Sequence, residues 1–419
     1  MLPLLLPIGA LLAGIALMLT GTGLLNTLLA LRGSVEGFSD QTLGLIGSAY
    51  FVGFFAGTFV APPLIRRMGH VRAFAFFGAA TAACVLAHAL LAEAWFWMLL
   101  RVITGIALVG FYTVIESWLN SQAPGERRGQ IFAIYMAVNL FALAGAQQFL
   151  HLAAPAAFTL FAVAAISVML ALMPVMATRL PPPPLTDTPR LPIRRLWEAA
   201  PVAIGGALAS GLAMGAFWGL GAVYAGRIGL PADGVATFIS LTILAGALLQ
   251  WPIGRLSDSM DRRYALALVA AVAAAGGVMM AILGNFGLAV LVGCAIFGAA
   301  AFAVYPVVVA HLIDHLHHDE ILSGNAGLLL VHGAAAAVGP ALAGVLMDWI
   351  GPAALPLYFA AMFAPAAAFA LLQARRGADE IVDDPAQFMP MLRTSPTVLE
   401  MMNPPEAAPP EAPAATHAD

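Results

Sequence analysis

Two charged residues stand well inside apolar stretches of this chain, Arg101 and Glu116, and both fall in the single block 95–119. An arginine near the middle of a bilayer costs about 2.5–3.5 kcal/mol on insertion scales, so it should face protein or a water-filled cavity. A cavity-facing Arg101 favours a small-molecule solute that is anionic or bears a carboxylate. The other reading has its long side chain snorkel to the nearer interface. Glu116 also has two readings. It carries a proton, or it forms an ion pair with Arg66, Arg67 or Arg128 at neighbouring helix ends, and its place near the end of its helix favours the pair. Uncharged polar and aromatic residues recur through the other apolar blocks: Asn26, Asn139, Gln147, Gln148, Trp218, Gln250, Tyr305 and His332. Each either contacts a solute or makes an interhelical hydrogen bond, and Trp218 and Tyr305 also suit packing. His311 and His315 have the i, i+4 spacing of shared metal ligands. Together with His317, His318, Asp314 and Asp319 they read instead as a solvated loop whose histidines titrate near neutrality. No metal or cofactor is expected, and Cys84 and Cys294 read as small packing residues.

The elements that must position these residues follow from composition. Of 419 residues, 61% are apolar and 10% charged, against roughly a quarter charged in soluble domains. Mean hydropathy is +0.91. The apolar residues fall in long blocks, and in lipid such runs satisfy their backbone polar groups as helices. The short alternating segments of an outer-membrane barrel are missing. Twelve spans are predicted, at 7–31, 42–64, 71–92, 95–119, 129–152 and 155–178, then at 199–226, 232–254, 264–284, 286–310, 323–347 and 353–373. The expected organisation is a six-helix unit 1–178, a cytoplasmic linker 179–198 holding Pro181–Pro184, a second six-helix unit 199–376, and a cytoplasmic tail 377–419. The tail is rich in Pro, Ala and Glu and reads as disordered, with Phe388–Met402 as a stretch apolar enough to dock on the cytoplasmic face. The N-terminal segment lacks a basic region and reads as a retained first helix.

All eighteen basic residues other than histidine are arginine. With the N-terminus inside, fifteen lie in cytoplasmic segments and only Arg32 and Arg227 in outer loops. That bias predicts both termini in the cytoplasm. No basic patch of nucleic-acid type is present, so the expected partners are the lipid bilayer and a solute.

The two halves echo each other at an offset of 192 residues, with Ser48 falling on Ser240 and Arg66 on Asp258, as in a parallel repeat. Between spans eight and nine the chain reads Gly254-Arg-Leu-Ser-Asp258-Ser-Met-Asp261-Arg262-Arg263. This resembles the signature loop of the major facilitator superfamily. The equivalent loop of the first half is degenerate, with Arg66 where the family usually has aspartate. Arg101-Val-Ile-Thr-Gly105 resembles the family's Arg-x-x-x-Gly element on the same helix. Glu116-Ser117-Trp118-Leu119-Asn120, followed by Glu126-Arg127-Arg128-Gly129, is similar to the YcaD-like bacterial branch.

The resemblance implies an all-α polytopic fold of two six-helix bundles, a monomer in the bacterial inner membrane, and alternating access. It also implies that spans one, four, seven and ten line the cavity, which singles out Asn26, Arg101, Trp218 and Tyr305. Glu116, Arg66, Arg67, Arg128, Asp258, Asp261 and Arg262 become gate residues. Gly333–Gly344 on span eleven carries small residues and one Gly-Pro, which permits close approach and a kink. Span five lacks the antiporter Gly-Pro, so drug/proton antiport has no motif behind it. No Walker motif is present, and transport would be facilitative or driven by a proton or cation gradient. No nucleophile or acid pair at membrane depth points to an enzyme. The rival expectation is a sensor on a transporter scaffold, signalling through the tail.

Overall fold

A computed structural model describes residues 2–122, 128–178, 183, 191–317, 320–377 and 388. These residues form thirteen α-helices and no strand. The first six are α1 (Leu2–Val35), α2 (Asp40–Met68), α3 (His70–Leu90), α4 (Ala94–Gln122), α5 (Arg128–Ala146) and α6 (Phe158–Met176). A short helix α7 (Ile193–Ala199) precedes α8 (Pro201–Arg227), α9 (Ala232–Asp258), α10 (Arg262–Leu283), α11 (Val290–Ile313), α12 (Ile321–Ile350) and α13 (Ala354–Arg376). Twelve of these segments are long and apolar enough to cross a membrane.

Local chemistry sets where the helices stop and start. Ser39 caps α2 by accepting from Thr42 N–H at 3.1 Å, and Asp261 caps α10 through Arg263 N–H at 2.8 Å. Side-chain oxygens there satisfy amides that have no intrahelical acceptor. Gly69 (φ 78°) and Gly351 (φ 103°) end α2 and α12 in a backbone region that disfavours a Cβ. Within α12, Pro340 disturbs the ladder, and the next amide, Ala341 N–H, donates to Ser48 Oγ of α2 at 3.0 Å.

Helix pairing follows close backbone approach. α2 lies against α4 where Gly53 and Gly105 interlock: a Cβ on Gly53 would sit 2.1 Å from Val102 O, and one on Gly105 2.2 Å from Tyr50 O. α1 packs with α5 and α6, α3 with α4 and α6. Among the later helices, α8 packs with α12 and α13, α10 with α11 and α13, and α9 with α11. α2 meets α8 and α12, while α5 meets α9, so each set of six touches the other through equivalent positions in its own sequence.

The structure adds detail to two sequence expectations and corrects a third. Span five is helical only to Ala146 and finishes as a 3₁₀ segment, Gln147–Leu152. The segment taken as linker holds a helix, α7, that docks on α12: Leu191 N–H donates to Ser323 O at 3.2 Å, Leu196 is fully buried, and Arg195 pairs with Glu320. His311 is not in a solvated loop. It belongs to the last turn of α11 and is buried, with its ring 4.5 Å from that of His315. No group of three or more potential metal ligands gathers among the described residues. Gly377 and Phe388 apart, the expected tail 377–419 lies outside the described residues.

Candidate substrate cavity and gates

A cavity of about 840 Å³, including space open to solvent, lies between α2, α8, α11 and α12. One wall carries Phe51, Phe54 and Phe55, and the facing surfaces carry Trp218, Phe302 and Tyr305. Tyr305 and His332 pack ring to ring with centroids 4.3 Å apart. Trp218 packs edge-on against Phe302 at 5.9 Å. Among the described residues, no Asp, Glu, Lys or Arg lines this space. Trp218, Tyr305 and His332 therefore line it, as their types and depth suggest. The wall from α2 was not foreseen, because apolar aromatic residues on a span look like lipid-facing ones in sequence.

Arg101 lies outside that lining. It is buried, and its Nη2 donates to Asn26 Oδ1 at 2.5 Å, while its guanidinium sits 4.2 Å above the Tyr50 ring. Asn26 Nδ2 in turn donates to Trp218 O at 3.0 Å. The result is a bridge from α4 through α1 to α8. It places Trp218 at the level of Asn26. Arg101 and Asn26 border two smaller spaces of about 280 and 410 Å³. Gln147 accepts from Thr27 Oγ1 at 2.6 Å and donates to Leu143 O at 3.1 Å, so it ties α5 to α1.

At the end of the molecule holding Asp40, the two sets of six helices are joined tightly. Arg227 Nε donates to Asp40 Oδ1 at 2.8 Å, and Asp348 accepts from the N–H groups of Asp40 and Gln41 at 2.9 and 3.2 Å. The carboxylate of Asp348 meets the positive end of α2, where orphan amides favour an anion. Below these pairs the backbones nearly touch. A Cβ on Gly44 would lie 2.4 Å from Pro340 O, and one on Gly344 2.6 Å from Asp40 O. Gly47 and Gly219 face each other in the same seam. Ser240 Oγ donates to Ala144 O at 2.9 Å and accepts from Gln148 Nε2 at 3.2 Å, joining α9 to α5. Only single charged residues at helix ends marked this seam in sequence, so the meeting of Asp40, Arg227 and Asp348 was missed.

At the opposite end, Glu116 is fully buried and accepts from Tyr135 Oη at 2.8 Å. Asn139, one turn along α5 from Tyr135, is buried beside it, yet neither amide atom reaches hydrogen-bond geometry with a described residue. Arg66 and Arg67 are exposed in the last turn of α2. The side chain of Arg128 lies outside the described residues. At the start of α10, Arg262 is buried and donates to Asp258 Oδ1 at 3.0 Å, Ser257 Oγ at 3.0 Å and Asp314 Oδ2 at 2.5 Å. Asp261 instead pairs with Arg263 at 2.8 Å. Burial pushes the Asp261 carboxyl up, but the hydrogen bonds and charge of Arg263 prevail and hold it below the ordinary value. Phe388 N–H donates to both oxygens of Asp258 at 3.1 and 3.3 Å, and its ring covers Gly254, where a Cβ would fall 2.3 Å from the ring.

A central aromatic cavity flanked by a seam and a charged loop is the geometry of a membrane transporter. The Major Facilitator Superfamily profile matches residues 10–326 and 203–402. The chain belongs to the Major Facilitator Superfamily. An uncharacterized MFS-type transporter of Enterobacter sp. (strain 638) is 28% identical over 345 residues, 82% of this chain and 89% of the relative. The uncharacterized MFS-type transporter YcaD of Escherichia fergusonii is 26% identical over 344 residues, again 82% and 89%. This superfamily member thus falls in the YcaD-like branch. Among solved structures, the nucleoside transporter NupG shares the fold at a TM-score of 0.71 and 13% identity, covering 88% of this chain and 99% of that one. The protein is a multi-pass membrane protein of a transporter family.

Proposed function

We propose that this superfamily member moves a small solute across the bacterial inner membrane by alternating access between two bundles, residues 1–178 and 199–376, joined by the linker 179–198. The observation that carries this reading is the asymmetry around the cavity. At the Asp40 end, α2, α8 and α12 close on one another through glycines, Pro340 and the Asp40–Arg227 pair. With both termini cytoplasmic, as the arginine bias implies, that end is periplasmic, and the described state is closed outward. Arg101, Asn26 and the Trp218 carbonyl then belong to the outer gate. Glu116, Arg66, Arg67, Arg128, Asp258, Asp261 and Arg262 belong to the inner one.

Coupling to a proton or cation, or none at all, is compatible with this arrangement, and the protein works as a monomer. The sensor alternative gains no support from the relatives, which are transporters by name. The test is reconstitution. Proteoliposomes should show uptake or exchange of at least one solute in a broad panel, with spin labels reporting inward and outward states. A panel without flux, in protein that never switches, overturns the proposal.

A further inference from the structure

The walls of the large cavity define the chemical class of what it binds, an inference that rests on the transport reading only for the solute's later movement. A ligand here leaves water for a space with no Asp, Glu, Lys or Arg among the described residues of its lining. A carboxylate or ammonium carried into such a space costs several kcal/mol unless it meets a partner. The buried cation nearest in role, Arg101, is engaged with Asn26 and the Tyr50 ring and does not line the cavity. Opposed aromatic surfaces at Phe51, Phe54, Trp218 and Phe302 suit a flat apolar ring, which packs edge-on or offset against them.

One serine hydroxyl in the wall differs from the buried hydroxyls of the other helices. Buried hydroxyls on these helices usually donate back to the carbonyl four residues earlier, as Thr22, Thr81, Thr104, Thr113 and Thr242 do. Ser210 does not. It is 0% exposed, lines the cavity, and among the described residues its Oγ is the only buried serine or threonine oxygen without a hydrogen-bond partner. Leaving such a group unpaired costs about 1–3 kcal/mol. Of the two other hydroxyl-bearing residues on the lining, Thr58 already donates to Phe55 O at 2.8 Å, and Tyr305 packs against the His332 ring.

We infer that the cavity takes an uncharged solute with an aromatic or similarly flat apolar body and one hydrogen-bonding group, which pairs with Ser210. Aromatic faces bind the body and the Ser210 hydroxyl orients it. Arg101 stays with the helix-to-helix bridge.

The experiment is isothermal titration of purified full-length protein with three matched probes: 2-naphthol, 2-naphthoate and 2-naphthyltrimethylammonium. Gly333→Phe serves as the blocked reference, because a Cβ at Gly333 meets only the Phe55 ring at 3.7 Å and a ring there enters the cavity. Heat in excess of that variant reports the cavity and not partition into detergent. 2-Naphthol should bind at least tenfold more tightly than either ion. Ser210→Ala should weaken it about two- to tenfold, the range of one ordinary hydrogen bond, without lowering the melting temperature. Arg101→Gln should leave the neutral-to-anion ratio unchanged. Tighter binding of 2-naphthoate, lost in Arg101→Gln, overturns the inference in favour of an anionic solute. Tighter binding of the quaternary ammonium overturns it in favour of an aromatic cage for cations. No 2-naphthol binding beyond the blocked variant also overturns it. Binding of 2-naphthol without flux in proteoliposomes would instead count against the transport reading and leave the ligand class standing.

Discussion

Gly44 offers the sharpest test of the closed seam. An alanine there would put its Cβ 2.4 Å from Pro340 O and 3.1 Å from Gly344 Cα, both backbone atoms that no rotamer change can move aside. Restoring ordinary contact requires α2 and α12 to separate by about 1 Å at that level. Overpacking of this kind costs about 1–3 kcal/mol. The cost applies only while the seam is shut, whereas the gain in helix propensity from replacing glycine applies in both states. Gly44→Ala should therefore change the ratio of open to closed protein by about 5- to 150-fold. Spin labels at exposed Val35 and Asp233, on opposite sides of the seam, measure this directly by double electron–electron resonance. The native thiols, Cys84 and Cys294, are buried and are replaced by alanine for the labelling. The distance distribution should gain a longer component in Gly44→Ala and none in Gly145→Ala, where a Cβ meets nothing within 4 Å. An unchanged distribution in Gly44→Ala, or the same shift in both variants, would refute the seam as the outer closure.

Further outcomes follow from the inner end. Arg262→Gln should lower the melting temperature by the equivalent of about 3 kcal/mol, near the low end for breaking a buried pair, because Asp258 is 38% exposed while Asp314 is 11% exposed. Arg262→Lys should recover part of it. Glu116→Gln and Tyr135→Phe should both slow switching while leaving the pH profile of flux in place; a flattened profile in Glu116→Gln would make that residue the proton carrier. Asp261 is held below its ordinary value of 3.8 by Arg263, so its stabilisation is complete above that value and fades as pH falls through the lowered one. The melting-temperature gap between wild type and Asp261→Asn should accordingly be full at pH 6 and shrink toward pH 3. Removal of the chain after Arg376 should preserve flux in proteoliposomes, since Phe388 covers the Gly254 loop without entering the cavity. Loss of flux would show that this cover is required.

The twelve spans, the membrane setting and the family were legible in the sequence because they depend on local quantities: run length, hydropathy and a contiguous loop motif around Asp258 and Arg262. Arg101 and Glu116 also stood out, since a charge inside an apolar run is costly wherever the run is packed. What they touch was not legible. Arg101 reaches Asn26 and Tyr50, and Glu116 reaches Tyr135, through helix crossings that no spacing along the chain encodes. The same holds for His311, which the sequence assigns to a polar loop and the tertiary structure buries in the last turn of α11. Ser210 and the phenylalanines of α2 carry no signal at all until two helices face them, because in an apolar span a wall of a cavity and a lipid-facing surface have the same composition. The one partial hint was the 192-residue offset. It paired Ser48 with Ser240, and the structure sets both at helix contacts between the two halves, with α12 and α5 respectively. Local sequence determined which segments enter the membrane. Only long-range packing decided that Gly44 meets Pro340, that Asp40 meets Arg227, and that the space between them and Asp258 is aromatic and uncharged.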